Sequence, residues 1–178
     1  MRWLLLLCAS VIVARAERER IPGATENQVK AAFVYNFLKF VEWPSGCFGD
    51  AGAPIIIGVH GTGPMAETIA EAVHGRKVGS RPVMVRAVDT AEQADGAHVL
   101  FITAAEDAQL RGIEGALATG HLLTIGETDE FEKHGGIIRF VFEANKLRFG
   151  INMDAADRAG LQVNAQLQKL AIRVRRSL

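Results

Sequence analysis

The loop Gly61-Thr62-Gly63-Pro64-Met65-Ala66 has G-x-G-x-x-A spacing between a predicted strand and a predicted helix. Such a loop can present backbone amides and a helix N-terminus to a pyrophosphate or to another small anion. Pro64 removes one of those amides, and no acidic residue follows at the spacing that a dinucleotide ribose requires. A strand-to-helix turn that needs glycine for its backbone freedom would have the same sequence.

The histidines show no metal-binding pattern. All five, at positions 60, 74, 98, 121 and 134, lack H-x-x-x-H spacing, and no cysteine pair accompanies them. His60 and His98 lie at or in predicted strands, where a hydrogen-bonded structural histidine is expected. The sequence therefore predicts no metal site.

No nucleophile or acid–base pair stands out either. The serines after the first sixteen residues have no G-x-S-x-G context, and Cys47 has no local partner motif. The carboxylate pairs Asp129/Glu130 and Asp154/Asp157 lie in predicted turns or at helix starts, where negative charge favours the helix dipole. We therefore predict no catalytic residue, no cofactor and no enzymatic activity.

Polar residues do collect at the predicted carboxyl ends of the strands. Ligands of open parallel sheets usually bind at that edge. The sequence therefore predicts a candidate ligand pocket there, formed by Thr62, Thr103, Gly126 and Glu127.

The elements that would position this edge alternate between strand and helix. The run 54–60 is β-branched without polar alternation, as in a strand buried on both faces. Further strands are predicted at 82–87, 98–102 and 122–125, and helices at about 64–74 and 106–119. This alternation predicts an α/β fold, a three-layer α/β/α sandwich with a mostly parallel sheet.

The pattern changes towards the C-terminus. Strands at 137–143 and 146–152 meet at Ala144-Asn145, which predicts a C-terminal β-hairpin. A short helix at 154–159 follows. Helical spacing then predicts a final helix whose buried face carries Val163, Leu167, Leu170, Ala171 and Val174.

The first sixteen residues have the features of an export signal. Arg2 precedes an apolar run, and Ala14-Arg15-Ala16 has the form of a cleavage site. We therefore expect a periplasmic protein with a cleavable signal peptide at 1–16, a flexible segment at 17–24 and a single domain at 25–178. An uncleaved anchor is the alternative.

The net charge and the cysteine content of the chain limit the kinds of partner that it is expected to bind. Arg2 and Arg15 lie in the signal, so its removal leaves 18 of the 20 basic residues and all 20 acidic residues. The processed chain therefore has a formal net charge of −2. This weak charge predicts no nucleic-acid partner. Outside the signal Cys47 has no second cysteine, so it is either buried and inert or pairs between two subunits.

The segment from Thr25 to Pro44 is predicted to be an apolar, aromatic-rich helix. Thr25 and Gln28 form a capping-box pattern at its start, and Pro44 is predicted to end it. Its apolar residues occupy nearly the whole circumference, so it is either sandwiched in the core or covered by a partner. Val34, Phe37 and Leu38 are the candidate partner surface.

Two separated segments resemble a known family. The first is Lys30-Ala31-Ala32-Phe33-Val34-Tyr35-Asn36-Phe37-Leu38-Lys39-Phe40-Val41-Glu42-Trp43-Pro44. The second comprises Gly135 to Phe140, Leu147 to Asn152, Ala155-Ala156 and Gly160 to Ala171. Both are similar to the YfiR/HmsC-like family of periplasmic regulators, over essentially the whole chain after the signal. Better-studied members carry disulfides, whereas His98 stands here where a cysteine is common.

The resemblance implies a regulator rather than an enzyme. Characterised members bind the periplasmic sensor domain of an inner-membrane diguanylate cyclase and hold the cyclase inactive, which lowers cyclic di-GMP and biofilm formation. An outer-membrane lipoprotein and a second copy of the chain are further candidate partners. A periplasmic small-molecule receptor that uses the strand-end pocket is the alternative function.

Overall fold

The computed structural model describes residues 24–61, 63–90, 92–103 and 120–176. The helices are α1 (Glu26–Phe37), α2 (Met65–Val73), α3 (Asp129–Lys133), α4 (Met153–Arg158) and α5 (Ala165–Leu170). The strands are β1 (Val41–Glu42), β2 (Ile55–His60), β3 (Lys77–Val78), β4 (Arg81–Val88), β5 (Val99–Ile102), β6 (Leu123–Gly126), β7 (Ile138–Glu143), β8 (Lys146–Asn152), β9 (Gln162–Val163) and β10 (Arg173–Arg175). Short 3-10 turns occupy Ser45–Cys47 and Glu92–Ala94.

One eight-stranded sheet organises the described residues, in the order β10-β8-β7-β6-β5-β2-β4-β3. The central strands β4, β2, β5, β6 and β7 run parallel to one another. Strand β8 runs antiparallel to β7, and β3 runs antiparallel to β4. The sheet is therefore mostly parallel, with antiparallel strands towards both ends.

The main core lies between this sheet and helices α1 and α2. Strand residues such as Ile57, Phe101 and Ile125 are fully buried against it. Thr25 caps α1 with the predicted capping box, since its hydroxyl accepts from the Gln28 N–H and the Gln28 side chain accepts from the Thr25 N–H. The prediction that this helix continues to Pro44 is wrong. It ends at Phe37, because β1 pairs with β9 and takes Val41 and Glu42 out of the helix.

The opposite face of the sheet carries a second, smaller cluster. Leu100, Ile102 and Val88 pack there with Phe131 of α3, which is fully buried. Alternate residues of β5 thus point to opposite layers, as expected for a strand covered on both sides. The predicted α/β/α sandwich with a mostly parallel sheet is confirmed. The helix predicted at 106–119 lies wholly outside the described residues.

The predicted hairpin is present as β7 and β8, which pair from Ile138↔Ile151 to Glu143↔Lys146. Ala144 and Asn145 form its two-residue turn with φ values of 47° and 62°. Both values are positive, as a type I′ turn requires. The turn follows the right-handed twist of the strands and so fixes their register.

The predicted final helix is only partly correct. Helix α5 ends at Leu170, which is 63% exposed, and the chain then enters β10. Val163 and Leu167 are buried as expected, whereas Val174 is 42% exposed. The Ile172 N–H donates to the Phe149 carbonyl of β8 at 3.0 Å. Pairing with β8 therefore replaces helix formation in the last described residues.

Candidate functional site

The carboxyl ends of β2, β5 and β6 lie side by side, because these strands are parallel neighbours. Thr103 follows β5, and its N–H donates to the His60 carbonyl at the end of β2 over 3.1 Å. Gly126 ends β6 and Glu127 follows it. Thr103, Gly126 and Glu127 thus lie at this edge, and Thr62 is outside the described residues.

Gly126 and Glu127 already serve contacts within the fold. A Cβ placed on Gly126 would lie 2.4 Å from Phe131 Cγ, so the phenyl ring fills the space beside this glycine. The Glu127 carboxylate pairs with Lys30 Nζ, which also lies 2.7 Å from Glu26 Oε1. The sequence reasoning missed this Lys30 contact, since no local spacing links residues so far apart.

The Lys30 ammonium is stabilised in its charged form. Burial lowers the pKa of Lys30, but hydrogen bonds to Glu127 and Glu26 outweigh burial and leave this pKa raised. A charged lysine on α1 therefore ties the helix to the end of β6.

Two polar atoms at the same edge have no hydrogen-bond partner among the described residues. His60 Nδ1 lies 2.8 Å from the Val88 carbonyl oxygen, which can only accept, so Nδ1 carries a proton and donates it. His60 Nε2 and Thr103 Oγ1 are buried without a hydrogen-bond partner among the residues that the structure describes. Buried polar atoms normally have partners, which makes these two atoms the candidates for hydrogen bonds in the predicted ligand pocket.

The glycine loop before α2 has the geometry of a turn. Gly61 and Gly63 have φ values of 118° and 110°, a region that side chains rarely adopt. This backbone conformation accounts for both glycines without a bound anion.

The candidate partner surface on α1 is buried. Val34 and Phe37 are 0% exposed and Leu38 is 1% exposed. The Phe37 ring lies 5.0 Å from the Phe149 ring and 5.8 Å from the Phe140 ring, between centroids. In this conformation a partner cannot reach these side chains, and their place is the core between α1 and the hairpin.

The segments that carry the family resemblance contact each other. Strand β1, just after α1, pairs antiparallel with β9 through Val41↔Val163 and Glu42↔Gln162. The Asn164 N–H donates to the Phe40 carbonyl at 2.8 Å. The Phe33 ring lies 5.9 Å and 5.8 Å from the rings of Phe140 and Phe149. Two segments distant in sequence thus form one packed unit.

A family model described as YfiR/HmsC-like matches residues 27–172, which include both segments. The chain belongs to the YfiR/HmsC-like family. This family consists of periplasmic regulators of cyclic di-GMP signalling and is regulatory rather than catalytic. The resemblance identified from the sequence is thereby confirmed.

A solved structure shows the same fold. The crystal structure of a conserved domain protein from Vibrio cholerae O1 biovar eltor superposes with a TM-score of 0.55 at 10% identity. The match covers 85% of this chain and 60% of that one, so this chain spans less than two thirds of its length. No curated protein matches the chain in sequence.

The described residues contain neither a candidate membrane span nor a candidate metal cluster. None of the helices there has the length and hydropathy of a membrane-spanning segment. Within that part of the chain, no group of three or more histidine, cysteine or acidic side chains is arranged to hold a metal ion.

His98 holds the loop 44–48 to the sheet. The Ile56 N–H donates to His98 Nδ1 at 3.1 Å, so the proton resides on Nε2, which lies 3.3 Å from the Cys47 carbonyl oxygen. The Phe48 ring stacks on the imidazole at 4.5 Å, and the Arg81 guanidinium lies 3.8 Å from the Phe48 centroid. The neutral imidazole therefore joins the 44–48 loop to β2.

We expect the free energy of unfolding to fall when His98 is protonated. Burial is the main cause of its lowered pKa; Arg81 and Arg86 add to the effect and the hydrogen bond to Cys47 opposes it. Above pH 6.5, the ordinary value, the stabilisation is complete. As the pH falls from 6.5 towards the lower folded-state pKa, the unfolded chain binds the proton first and stability is lost.

Denaturant unfolding at pH 7.5 and at lower pH measures this loss. His98→Gln is the matched control, since its amide oxygen can accept from Ile56 without titrating. We expect a smaller pH dependence in the variant. An identical dependence in both proteins would assign the acid sensitivity to other groups.

Cys47 has a free thiol. Burial raises the pKa of this thiol, which makes it a weak nucleophile at neutral pH. We expect the melting temperature of the processed protein to be the same with and without dithiothreitol. A drop in reductant that Cys47→Ser abolishes would contradict this expectation and indicate a Cys47-linked dimer, whereas a drop that persists in Cys47→Ser could not come from a disulfide, because that processed variant has no cysteine.

Proposed function

We propose that this chain is a periplasmic regulator that binds the periplasmic sensor domain of an inner-membrane diguanylate cyclase and holds the cyclase inactive. Membership of the YfiR/HmsC-like family over residues 27–172 carries the proposal. The contact between the two signature segments supports it, because the residues that define the family also build the core of this chain. In this proposal the protein is exported by cleavage of residues 1–16 and acts as one domain.

The physical mechanism is a population shift. A regulator that binds the inactive cyclase conformation more tightly than the active one biases their equilibrium by that difference in affinity. A change from 1:99 to 99:1 requires about a 10⁴-fold preference. Release of the regulator would raise cyclic di-GMP and favour biofilm formation.

Capture from membranes tests the binding step. The tagged chain, expressed with its signal, should retain a diguanylate cyclase from detergent-solubilised inner membranes. An outer-membrane lipoprotein and an untagged second copy are further partners that this capture would reveal. Phe37→Ala is a useful control, because Phe37 is buried in the core. This variant should lose partner binding only in proportion to the fraction of the protein that is unfolded. Recovery of no membrane cyclase would contradict the proposal.

A periplasmic small-molecule receptor is the second candidate. His60 Nε2 and Thr103 Oγ1 at the strand ends favour it, because both are buried and have no hydrogen-bond partner in the described part of the chain. Thermal-shift measurements with fractionated periplasmic metabolites would detect such a ligand. Thr103→Val keeps the shape but removes the hydroxyl, so a ligand bound at this edge should stabilise the variant less than the wild type. Equal stabilisation of both proteins would place the ligand elsewhere.

A further inference from the structure

Among the residues that the structure describes, strand β10 has one side of its backbone unpaired. It lies at the end of the strand order among the described residues, and all three of its residues are exposed. The Ile172 N–H donates to β8. Because successive residues of a strand direct their backbone groups to opposite sides, Val174 also faces β8, whereas Arg173 and Arg175 direct their N–H and C=O groups outward. These groups form a template for an added strand.

The side chains of this edge alternate in chemistry. Val174 is in register with the core residue Ile151, so it lies on the α1 side of the sheet. Ile172 and Val174 on that side are 43% and 42% exposed. Arg173 and Arg175 are in register with Gly150 and Asn152 and lie on the opposite side. The open edge therefore has an aliphatic face and a basic face.

The basic face carries charge that no ion pair within the described residues neutralises. Arg148 lies on β8 two residues from Gly150 and shares this face with Arg173 and Arg175. All three are exposed, and none forms an ion pair with another described residue. The neighbouring Arg139, by contrast, is paired with Asp129 and Glu132.

We propose that β10 binds its protein partner by strand addition, taking an extended segment that alternates carboxylate and aliphatic side chains. The backbone of the segment would pair with the outward groups of Arg173 and Arg175. Its carboxylates would meet the arginine face, and its aliphatic side chains would cover Ile172 and Val174. The proposal depends on the proposed function in one respect only, namely that the cyclase sensor domain supplies the segment.

Charge disfavours a second copy at this edge. In an antiparallel pair of two β10 strands centred on Val174, Arg173 of each copy would lie opposite Arg175 of the other. Like charges directly opposite in a sheet are destabilising. An acidic segment removes that repulsion and neutralises the arginines.

Amide hydrogen exchange with a defined peptide tests the edge directly. The probe is a synthetic peptide of about eight residues that alternates glutamate and valine, and the control peptide replaces glutamate by lysine. We expect exchange at the Arg173 and Arg175 amides to slow roughly tenfold with the acidic peptide, because both become hydrogen-bonded. Unchanged exchange at saturating peptide, or equal protection by the lysine peptide, would overturn the proposal.

A pair of variants separates backbone pairing from charge. Arg175→Ala and Arg175→Pro both remove the guanidinium, but only proline removes the outward N–H, which an edge strand tolerates. We expect the proline variant to bind the acidic peptide roughly tenfold more weakly than the alanine variant. Equal affinities would overturn strand addition. If Arg175→Pro fails to fold, the double variant Arg173→Glu/Arg175→Glu should reverse the preference towards the lysine peptide, and an unchanged preference would overturn the charge argument.

Other occupants give distinct results. Protection of the Arg173 and Arg175 amides that grows with protein concentration in the absence of peptide would assign the edge to a second copy and overturn the proposal. Arginine-dependent binding to phosphatidylglycerol vesicles, with no binding of the peptide, would assign the edge to a membrane surface and would also overturn the proposal. If the peptide binds but deletion of the protein leaves cyclic di-GMP unchanged, the edge stands and the cyclase is not its partner.

Discussion

Replacing Phe37 by alanine should destabilise this protein by about 3–5 kcal/mol, the range measured for large buried aromatic side chains. Phe37 is fully buried and contacts the rings of Phe33, Phe140 and Phe149. The change removes these contacts and leaves a cavity between α1 and the hairpin. Thermal unfolding should show a melting temperature lower by on the order of 10 °C.

Asn36→Ala is the matched control for this substitution. Asn36 precedes Phe37 on the same helix, and its side chain is exposed. We expect a change within about 0.5 kcal/mol, as for other surface substitutions. An unchanged melting temperature in Phe37→Ala, together with lost partner binding, would place Phe37 at an interface instead of in the core.

Gly136→Ala should be the most damaging single-methyl change near the strand ends. A Cβ on Gly136 would lie 2.1 Å from Phe131 Cε1, far inside van der Waals contact. Phe131 is fully buried between Gly126 and Gly136, so its ring has no free space to enter. Overpacking of this kind costs roughly 1–3 kcal/mol or more, which denaturant unfolding would measure.

A double-mutant cycle identifies the clash as the cause. In a Phe131→Ala background the ring is absent, so adding Gly136→Ala should cost much less than it does alone. Gly46→Ala is the control, because a Cβ there meets nothing within 4 Å. If Gly136→Ala costs the same in both backgrounds, the destabilisation comes from the backbone and not from contact with Phe131.

Short-range patterns were enough to predict much of the sheet. The buried run before His60 and the later apolar segments predicted β2, β4, β5 and β6 to within one or two residues. The hairpin was predicted because Ala144-Asn145 separates two strands by a turn of two residues. These features depend on neighbouring residues, and periodicity within a segment reports on them directly.

Long-range pairing could not be predicted in the same way. The apolar spacing of Leu167, Leu170 and Val174 fits a helix, yet β8 offers Phe149 as an acceptor and converts the last described residues to a strand. The pairing of β1 with β9 shortened α1 for the same reason. The spacing of apolar residues can indicate a helix, but it does not indicate which strand lies close enough to pair with the segment.

For the candidate site, too, the local features could be predicted from the sequence and the long-range contacts could not. Thr103, Gly126 and Glu127 do lie at the strand ends, because parallel strands bring their carboxyl ends to one edge. That Lys30 would pair with Glu127, or that Phe131 would fill the space at Gly126, depends on how α1 and α3 pack. The arginine face and the aliphatic face of β10 could not be predicted either, because they exist only when that segment is a strand and its spacing predicted a helix.

Cyclic di-GMP in living cells tests the central claim most directly. The measurement compares a strain that lacks this protein with the same strain carrying the full chain, and with a strain that also lacks the captured cyclase. We expect deletion to raise cyclic di-GMP, re-expression to lower it again, and loss of the cyclase to abolish the difference. Cyclic di-GMP that is the same with and without the protein would contradict its role as a repressor of a diguanylate cyclase.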